Sequence, residues 1–234
     1  MISVIMPIYN EGTSIFTNLQ KTRDVMRLAG DFELIPVNDG STDHSRSEID
    51  RSAASFPDIR PLHIPHSGKG EALRQGALHA QGEWVIFMDS DLDLPPEQIL
   101  FFIAIQKTQK ADAVIGSKMH PDSTVHYPFH RRLYSWGYYL LIKALFNLPL
   151  RDTQTGLKLL KRTVLLQALQ KTTLKGFAFD LELLAQLSRL KVKMVEAPVV
   201  VDFKHKFGGI GWREIIRILR ETYRTWRHLS RSLK

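Results

Sequence analysis

Cysteine is absent from all 234 residues. Its absence excludes disulfides, thiolate metal sites and a cysteine nucleophile, and is compatible with a reducing compartment. Also missing is an apolar run of the roughly 20 residues needed to cross a bilayer. The most apolar helical stretch, Leu133–Leu148, is interrupted by Lys143 and Asn147 and stops at Pro149. No basic n-region or small-residue cleavage site precedes the strand-like run that begins at Ile2, so neither a signal peptide nor a transmembrane helix is expected. The nine histidines show no zinc-protease spacing. Internal repeats and low-complexity runs are lacking. What remains is 44% hydrophobic and 24% charged, which excludes a disordered chain and suits one large domain or at most two small ones.

Acidic residues are scarce at one end. Residues 203–234 carry nine lysines and arginines but only Glu214 and Glu221, so +7 of the net charge of +8 lies there. The preceding 202 residues are nearly neutral. A basic tail of this kind usually meets phosphate, on nucleic acid or on a membrane surface.

Strand and helix signals alternate through the first half. Ile2–Ile8, Phe32–Val37, Ile59–Ile64, Trp84–Met88 and Ala113–Ile115 are short apolar runs suited to a sheet buried on both faces. Amphipathic stretches near 13–29, 43–56, 69–80 and 97–109 separate them. This order predicts an α/β fold, a mostly parallel sheet with helices on both faces. After Gly116 a polar loop leads to an aromatic, basic helix at about 129–147. A turn-rich segment (Arg151–Gly156), helices near 162–170 and 179–190, and strands at 192–196 and 199–203 follow. Gly208, Gly209 and Gly211 form a hinge before a last helix over 212–232.

Polar residues collect after the strands: Tyr9-Asn10-Glu11, Asn38-Asp39-Gly40-Ser41 and Asp89-Ser90-Asp91. In an open parallel sheet these carboxyl ends share one edge, where ligands bind. Turn chemistry alone accounts for Asn38–Ser41. It does not require the second carboxylate of Asp89/Asp91. Two carboxylates at that spacing suit a hard divalent cation, Mg²⁺ or Mn²⁺, which takes one or two carboxylates and then substrate phosphates. Gly68-Lys69-Gly70 opens the third helix and is either an anion site or a plain helix start with a solvated lysine.

Ser3–Glu11, Val37–Asp43, Gly68–Ala72 and Asp89-Ser90-Asp91-Leu92-Asp93 resemble the family-2 glycosyltransferases of GT-A (Rossmann-like) fold. Arg131-Arg132-Leu133-Tyr134-Ser135, Asp152–Lys158 and Gly176–Asp180 resemble its dolichyl- or polyprenyl-phosphate mannose/glucose synthase branch. The resemblance implies inverting transfer of a hexose from GDP-mannose or UDP-glucose to a polyprenyl phosphate. It implies that Pro7, Tyr9, Glu11, Val37 and Asp39 hold the nucleoside. Lys69, Ser90, Asp93 and Lys118 would complete the donor site, with Asp89 and Asp91 on the metal and diphosphate. Arg131 and Ser135 would hold the acceptor phosphate, with Arg132, Lys204 and Lys206 nearby. Asp89, Asp91 and Arg131 would be the catalytic groups. Two residues depart from the pattern: Asp93 stands where many members have glutamine, and Lys118 where many have arginine, which keeps the charge but not the bidentate grip.

In the last helix Trp212, Ile215, Leu219, Thr222, Trp226, Leu229 and Leu233 form a mostly apolar stripe, flanked by a basic stripe from Arg213 to Lys234. Tryptophan beside arginine suits a helix lying in the headgroup layer. Packing on the main domain, or a coiled coil, is the alternative, although an all-basic flank repels itself in a coiled coil. For helix 129–147 core packing and lipid contact both stand. The expected division is a catalytic domain over 1–207 and a glycine hinge with a membrane-surface helix over 208–234, giving a peripheral protein on the cytoplasmic side of a membrane. A soluble or polysaccharide acceptor is the second enzymatic reading. A nucleic-acid arm is the third, but no nucleic-acid fold motif accompanies the tail, and nucleic acid is not expected as a partner.

Overall fold

A computed structural model describes residues 1–125, 129–174, 176, 178–202 and 212–231, with the backbone only at 129–135, 212–218, 221, 230 and 231. The first half runs β1 (Ile2–Ile8), α1 (Ser14–Ala29), β2 (Phe32–Asp39), α2 (Ser45–Ser55), β3 (Leu62–Ile64), α3 (Lys69–His79), β4 (Trp84–Phe87), α4 (Gln98–Gln109) and β5 (Ala113–Ser117). The second half adds β6 (Thr124–Val125), α5 (Phe129–Phe146), β7 (Lys158–Lys161), α6 (Arg162–Leu169), α7 (Ala178–Arg189), β8 (Met194–Pro198), β9 (Val200–Val201) and α8 (Trp212–Arg231).

Among the described residues the main sheet has the order β3-β2-β1-β4-β7-β5-β8, and β6 pairs with β9 in a small parallel sheet. All neighbours in the main sheet are parallel except β7, which is antiparallel to both β4 and β5. The alternation of side chains along each strand explains the continuous apolar runs. Ile5 of β1 faces the core built with α3, α6 and α7, whereas Val4, Met6 and Ile8 face the core built with α1, α2 and α4. Each fully buried side chain of this size contributes about 1.5–3 kcal/mol. Gly76 lets α3 lie close on the sheet, since a Cβ there would collide with Ile5. That approach fixes where the first residue of α3, Lys69, is held.

The mostly parallel sheet with helices on both faces is as expected, but β6 and β7 are additions to the predicted elements. In β7, Leu159 and Leu160 enter opposite cores. β3 is shorter than the run Ile59–Ile64, because Ile59 makes only an isolated bridge to Leu34. The last two strands of the sequence reading fall at 194–198 and 200–201.

The C-terminal helix docks on α7 and α5. Leu229 joins the core, Thr222 and Thr225 are buried, the Tyr138 hydroxyl meets Thr222 Oγ1 at 3.1 Å, and Arg189 donates to the Leu229 carbonyl at 2.7 Å. Leu219 (43% exposed) and Tyr223 (54%) face outward, as do Trp136 and Leu140 of α5. Among the described residues no helix is long and apolar enough to cross a membrane. The glycine hinge, Lys204 and Lys206 lie outside the described residues.

Candidate active site

Because β2, β1 and β4 are neighbours, the residues after them share one sheet edge. Side chains lock the first two loops together. Asn10, at φ 55°, accepts the Thr42 N–H at 2.9 Å, while the Ser45 hydroxyl accepts the N–H groups of Glu11 and Gly12 at 2.8 and 3.0 Å. Asp39 is buried, and its two oxygens accept the N–H groups of Ser67 and Gly68 at 2.7 and 2.9 Å. An internal carboxylate thus takes two donors at the start of α3. Gly68 adopts φ 96°, a left-handed conformation that favours glycine, and presents Lys69 to the edge. Tyr9 is exposed and stacks on His66, with ring centroids 4.2 Å apart. Pro7 pairs in register with Val37, whose side chain is in the core. Val37 therefore supports this edge from beneath.

The carboxylates after β4 have unlike surroundings. The Lys69 ammonium forms an ion pair with Asp89 Oδ1. Burial pushes the Asp89 carboxyl up, but Lys69, Lys158 and Lys118 outweigh it and hold the group below the usual range. Lys69 itself is pushed up, because Asp89, Asp180 and Asp91 outweigh its own burial. On its other side Asp89 abuts Gly156, where a Cβ would fall inside 3.0 Å of both carboxylate oxygens. Asp91 lies in a turn held by the Asp93 N–H, which donates to Asp91 Oδ1 at 3.0 Å. Burial and the negative neighbours Asp89 and Asp93 push Asp91 up. Ser90 is buried, and its carbonyl accepts from Asn18 of α1 at 2.8 Å, anchoring the turn.

Beneath this pair lies a second, fixed cation. Lys158, 1% exposed, donates to the Thr155 carbonyl at 2.6 Å and to Asp180 at 2.7 Å. Sequence reasoning assigned no role to Lys158, Asp180 or Gly156. A lysine beside leucines reads as a surface residue until β7 is placed between β4 and β5.

Lys118 links the acidic edge to a cavity of about 470 Å³. Its N–H donates to Asp152 at 3.0 Å, and Asp152 also accepts the Thr155 hydroxyl. Lys118, His120 and Arg151 line the cavity together with Trp136, Tyr138 and Tyr139 of α5. Arg131, Arg132 and Ser135 occupy the first turns of that helix, where only the backbone is described. Their side chains, like Lys204 and Lys206, lie outside the described residues.

The donor set fits a hard divalent cation. Asp89 and Asp91 offer carboxylate oxygens, and Asp91 is raised by burial and by the negative neighbours Asp89 and Asp93, which a cation would relieve. Among the described residues no three or more His, Asp or Glu gather as a metal cage. Two carboxylates leave the other positions to phosphate and water, the usual arrangement for Mg²⁺ or Mn²⁺ at a nucleotide.

Residues 3–168 match the family described as glycosyl transferase family 2. A dolichyl-phosphate beta-glucosyltransferase, ALG5D of Trichomonas vaginalis, is 32% identical over 214 residues, which cover 85% of this chain and 64% of that protein. The glycosyltransferase AglD of Haloferax volcanii is 27% identical over 233 residues, 98% of this chain and 37% of that protein. The chain therefore spans less than two thirds of the length of these relatives. Among solved structures, glucosyl-3-phosphoglycerate synthase of Mycobacterium tuberculosis, in complex with Mn²⁺ and uridine-diphosphate-glucose, superposes with a TM-score of 0.69 at 20% identity. The superposition covers 96% of this chain and 77% of that one. That likeness establishes the GT-A fold.

Proposed function

We propose, from the premise that the chain belongs to glycosyl transferase family 2, that it transfers a hexose from a nucleoside-diphosphate sugar to a polyprenyl phosphate at a membrane surface. The glucosyl transfer named for its dolichyl-phosphate relatives, together with the uridine-diphosphate-glucose bound in the structural neighbour, supports UDP-glucose rather than GDP-mannose as donor. The observation that carries the acceptor is the cavity beside Lys118, where Lys118 and Arg151 meet Trp136, Tyr138 and Tyr139. Cations beside an aromatic wall suit a phosphate that trails an apolar chain.

A phosphate oxygen of the acceptor attacks the anomeric carbon. The new carbon–oxygen bond forms as the bond to the donor's β-phosphate oxygen breaks, and the electron pair leaves with the nucleoside diphosphate, inverting the centre. The acceptor's second pKa is about 6, so it is largely dianionic near neutrality and needs no general base. When bound on Asp89 and Asp91, Mg²⁺ or Mn²⁺ would supply stabilisation of the departing diphosphate. Tyr9, Glu11 and Asp39 belong to the nucleoside end. Lys118, with Arg131, Arg132 and Ser135, offsets the repulsion between two anions and orients the acceptor.

In this reading residues 1–207 form the catalytic unit and 208–234 a docked arm. Leu229 seats the arm on the core, while Leu219, Tyr223, Arg220, Arg224 and Arg227 face outward, as a membrane-surface contact requires. The test is incubation with Mn²⁺, polyprenyl phosphate and either UDP-glucose or GDP-mannose, followed by mass spectrometry of the lipid fraction. Addition of one hexose to the lipid phosphate is expected, with UDP-glucose the better donor. Transfer confined to water-soluble acceptors would overturn the reading.

A further inference from the structure

Asp89 has a cation position, and a lysine of this chain is in it. Asp89 Oδ2 lies against Gly156, so closely that a Cβ there would collide with it, while Oδ1 is in contact with the Lys69 ammonium. The two nearby lysines differ in freedom. Lys158 is locked between Asp180 and the Thr155 carbonyl and is 1% exposed. Lys69 has a side chain 39% exposed, on a four-carbon stem rooted at the first turn of α3. Asp39 holds that root by gripping the N–H groups of Ser67 and Gly68. The Lys69 backbone is therefore fixed while its ammonium can swing. A divalent cation that takes Asp89 as ligand meets this ammonium at the same oxygen, and two cations sharing one carboxylate oxygen repel.

We propose that Lys69 is the resident counterion of Asp89, competing with the divalent cation, so that the metal binds weakly to the chain alone and tightly only when a diphosphate arrives to receive the displaced ammonium. The inference rests on the metal site of the proposed function. It adds a coupling between metal and donor: the same diphosphate that contacts the metal draws Lys69 off Asp89, so each ligand strengthens binding of the other. The ion pair also keeps Asp89 compensated when no metal is bound, where a partly buried, repelling pair of carboxylates would otherwise stand.

The experiment is titration of the full chain with Mn²⁺, following free Mn²⁺ by electron paramagnetic resonance, with and without UDP. For the wild type, affinity for Mn²⁺ alone should be weak and should rise about tenfold or more with UDP. Lys69→Met should bind Mn²⁺ alone about tenfold or more tightly than wild type, since the competing charge is gone, and should lose most of the enhancement by UDP. Lys69→Gln should repeat the effect, which covers the case where one variant fails to fold, and Lys69→Arg should keep the weak metal-only affinity. The inference is overturned if both neutral variants bind Mn²⁺ alone no better than wild type, or if Lys69→Arg binds as tightly as they do. Asp91→Asn separates the two levels. Loss of Mn²⁺ binding in Asp91→Asn with no gain in the neutral variants rejects the Lys69 competition alone. Unchanged binding in Asp91→Asn places the metal elsewhere and rejects both.

Discussion

Replacing Gly156 by alanine would place a methyl carbon inside 3.0 Å of both Asp89 oxygens and of Asp89 Cγ. No backbone atom is among those nearest neighbours, and Gly156 is not among the residues with positive φ, so the backbone accepts alanine without strain. The collision falls on the end of one side chain. To reach ordinary contact distance the nearer carboxylate oxygen must retreat by more than about 1 Å, and a misplacement of about 1 Å near reacting groups can already cost about 10²-fold in rate. The stability cost is that of mild overpacking, about 1–3 kcal/mol at most, or a fall in Tm of a few degrees for a chain of this length. Gly156→Ala should therefore fold and fail: hexose transfer about 10²-fold slower, with a Tm within about 10 °C of wild type. Gly116→Ala is the contrast, because its Cβ would press on the Leu157 carbonyl as well as on Thr155 and Val199, so its cost should appear mainly in Tm. Wild-type turnover in Gly156→Ala would show that the position of Asp89 does not govern the reaction.

Lys158→Met should leave the buried Asp180 carboxylate without its ion-pair partner, costing up to about 3–5 kcal/mol, and thermal denaturation should show a clear drop in Tm. Glu33 makes stability depend on pH. Burial pushes its carboxyl up, but the Ser3 hydroxyl, the Gln81 N–H and Arg60 outweigh burial and lower it. Stability from a depressed carboxyl is full above the unfolded value of about 4.3 and is lost as pH falls through the folded value. Glu33→Gln should cost about 1.5–3 kcal/mol near neutrality and flatten the fall of Tm below about pH 4. Reversing Arg220, Arg224 and Arg227 together to glutamate should weaken binding to anionic vesicles by at least about 1 kcal/mol per residue, with Tm little changed because all three are exposed. Cosedimentation that stays unchanged in the triple variant would reject the arm as a membrane contact.

The sheet was legible wherever an apolar run had no competing reading. Ile2–Ile8 is apolar except for Ser3, and β1 spans the same residues. β7 was hidden because Lys158-Leu159-Leu160-Lys161 runs directly into α6, and four residues do not distinguish a buried strand from the start of an amphipathic helix. Its place depends on a gap between β4 and β5 that only the assembled sheet reveals. At the site, Asp89 and Asp91 were legible as polar residues at a strand end, since turn chemistry did not explain a second carboxylate, whereas Asp39 was singled out only by the family resemblance, because turn chemistry alone accounts for Asn38–Ser41. The grip of Asp39 on the loop before Lys69 was not legible, because it joins residues that are distant along the chain. Gly156 read as part of a turn, because a missing side chain carries no sign of what packs against it.

Transfer of radiolabelled hexose to polyprenyl phosphate by the wild type and by Asp91→Asn tests the central claim most directly. With UDP-glucose and Mn²⁺, the wild type should place label in a lipid-extractable, phosphate-linked product. Asp91→Asn should retain the wild-type fold and give almost none, having lost a ligand for the cation at the leaving diphosphate. No labelled lipid from the wild type, or equal label from both proteins, would contradict the account.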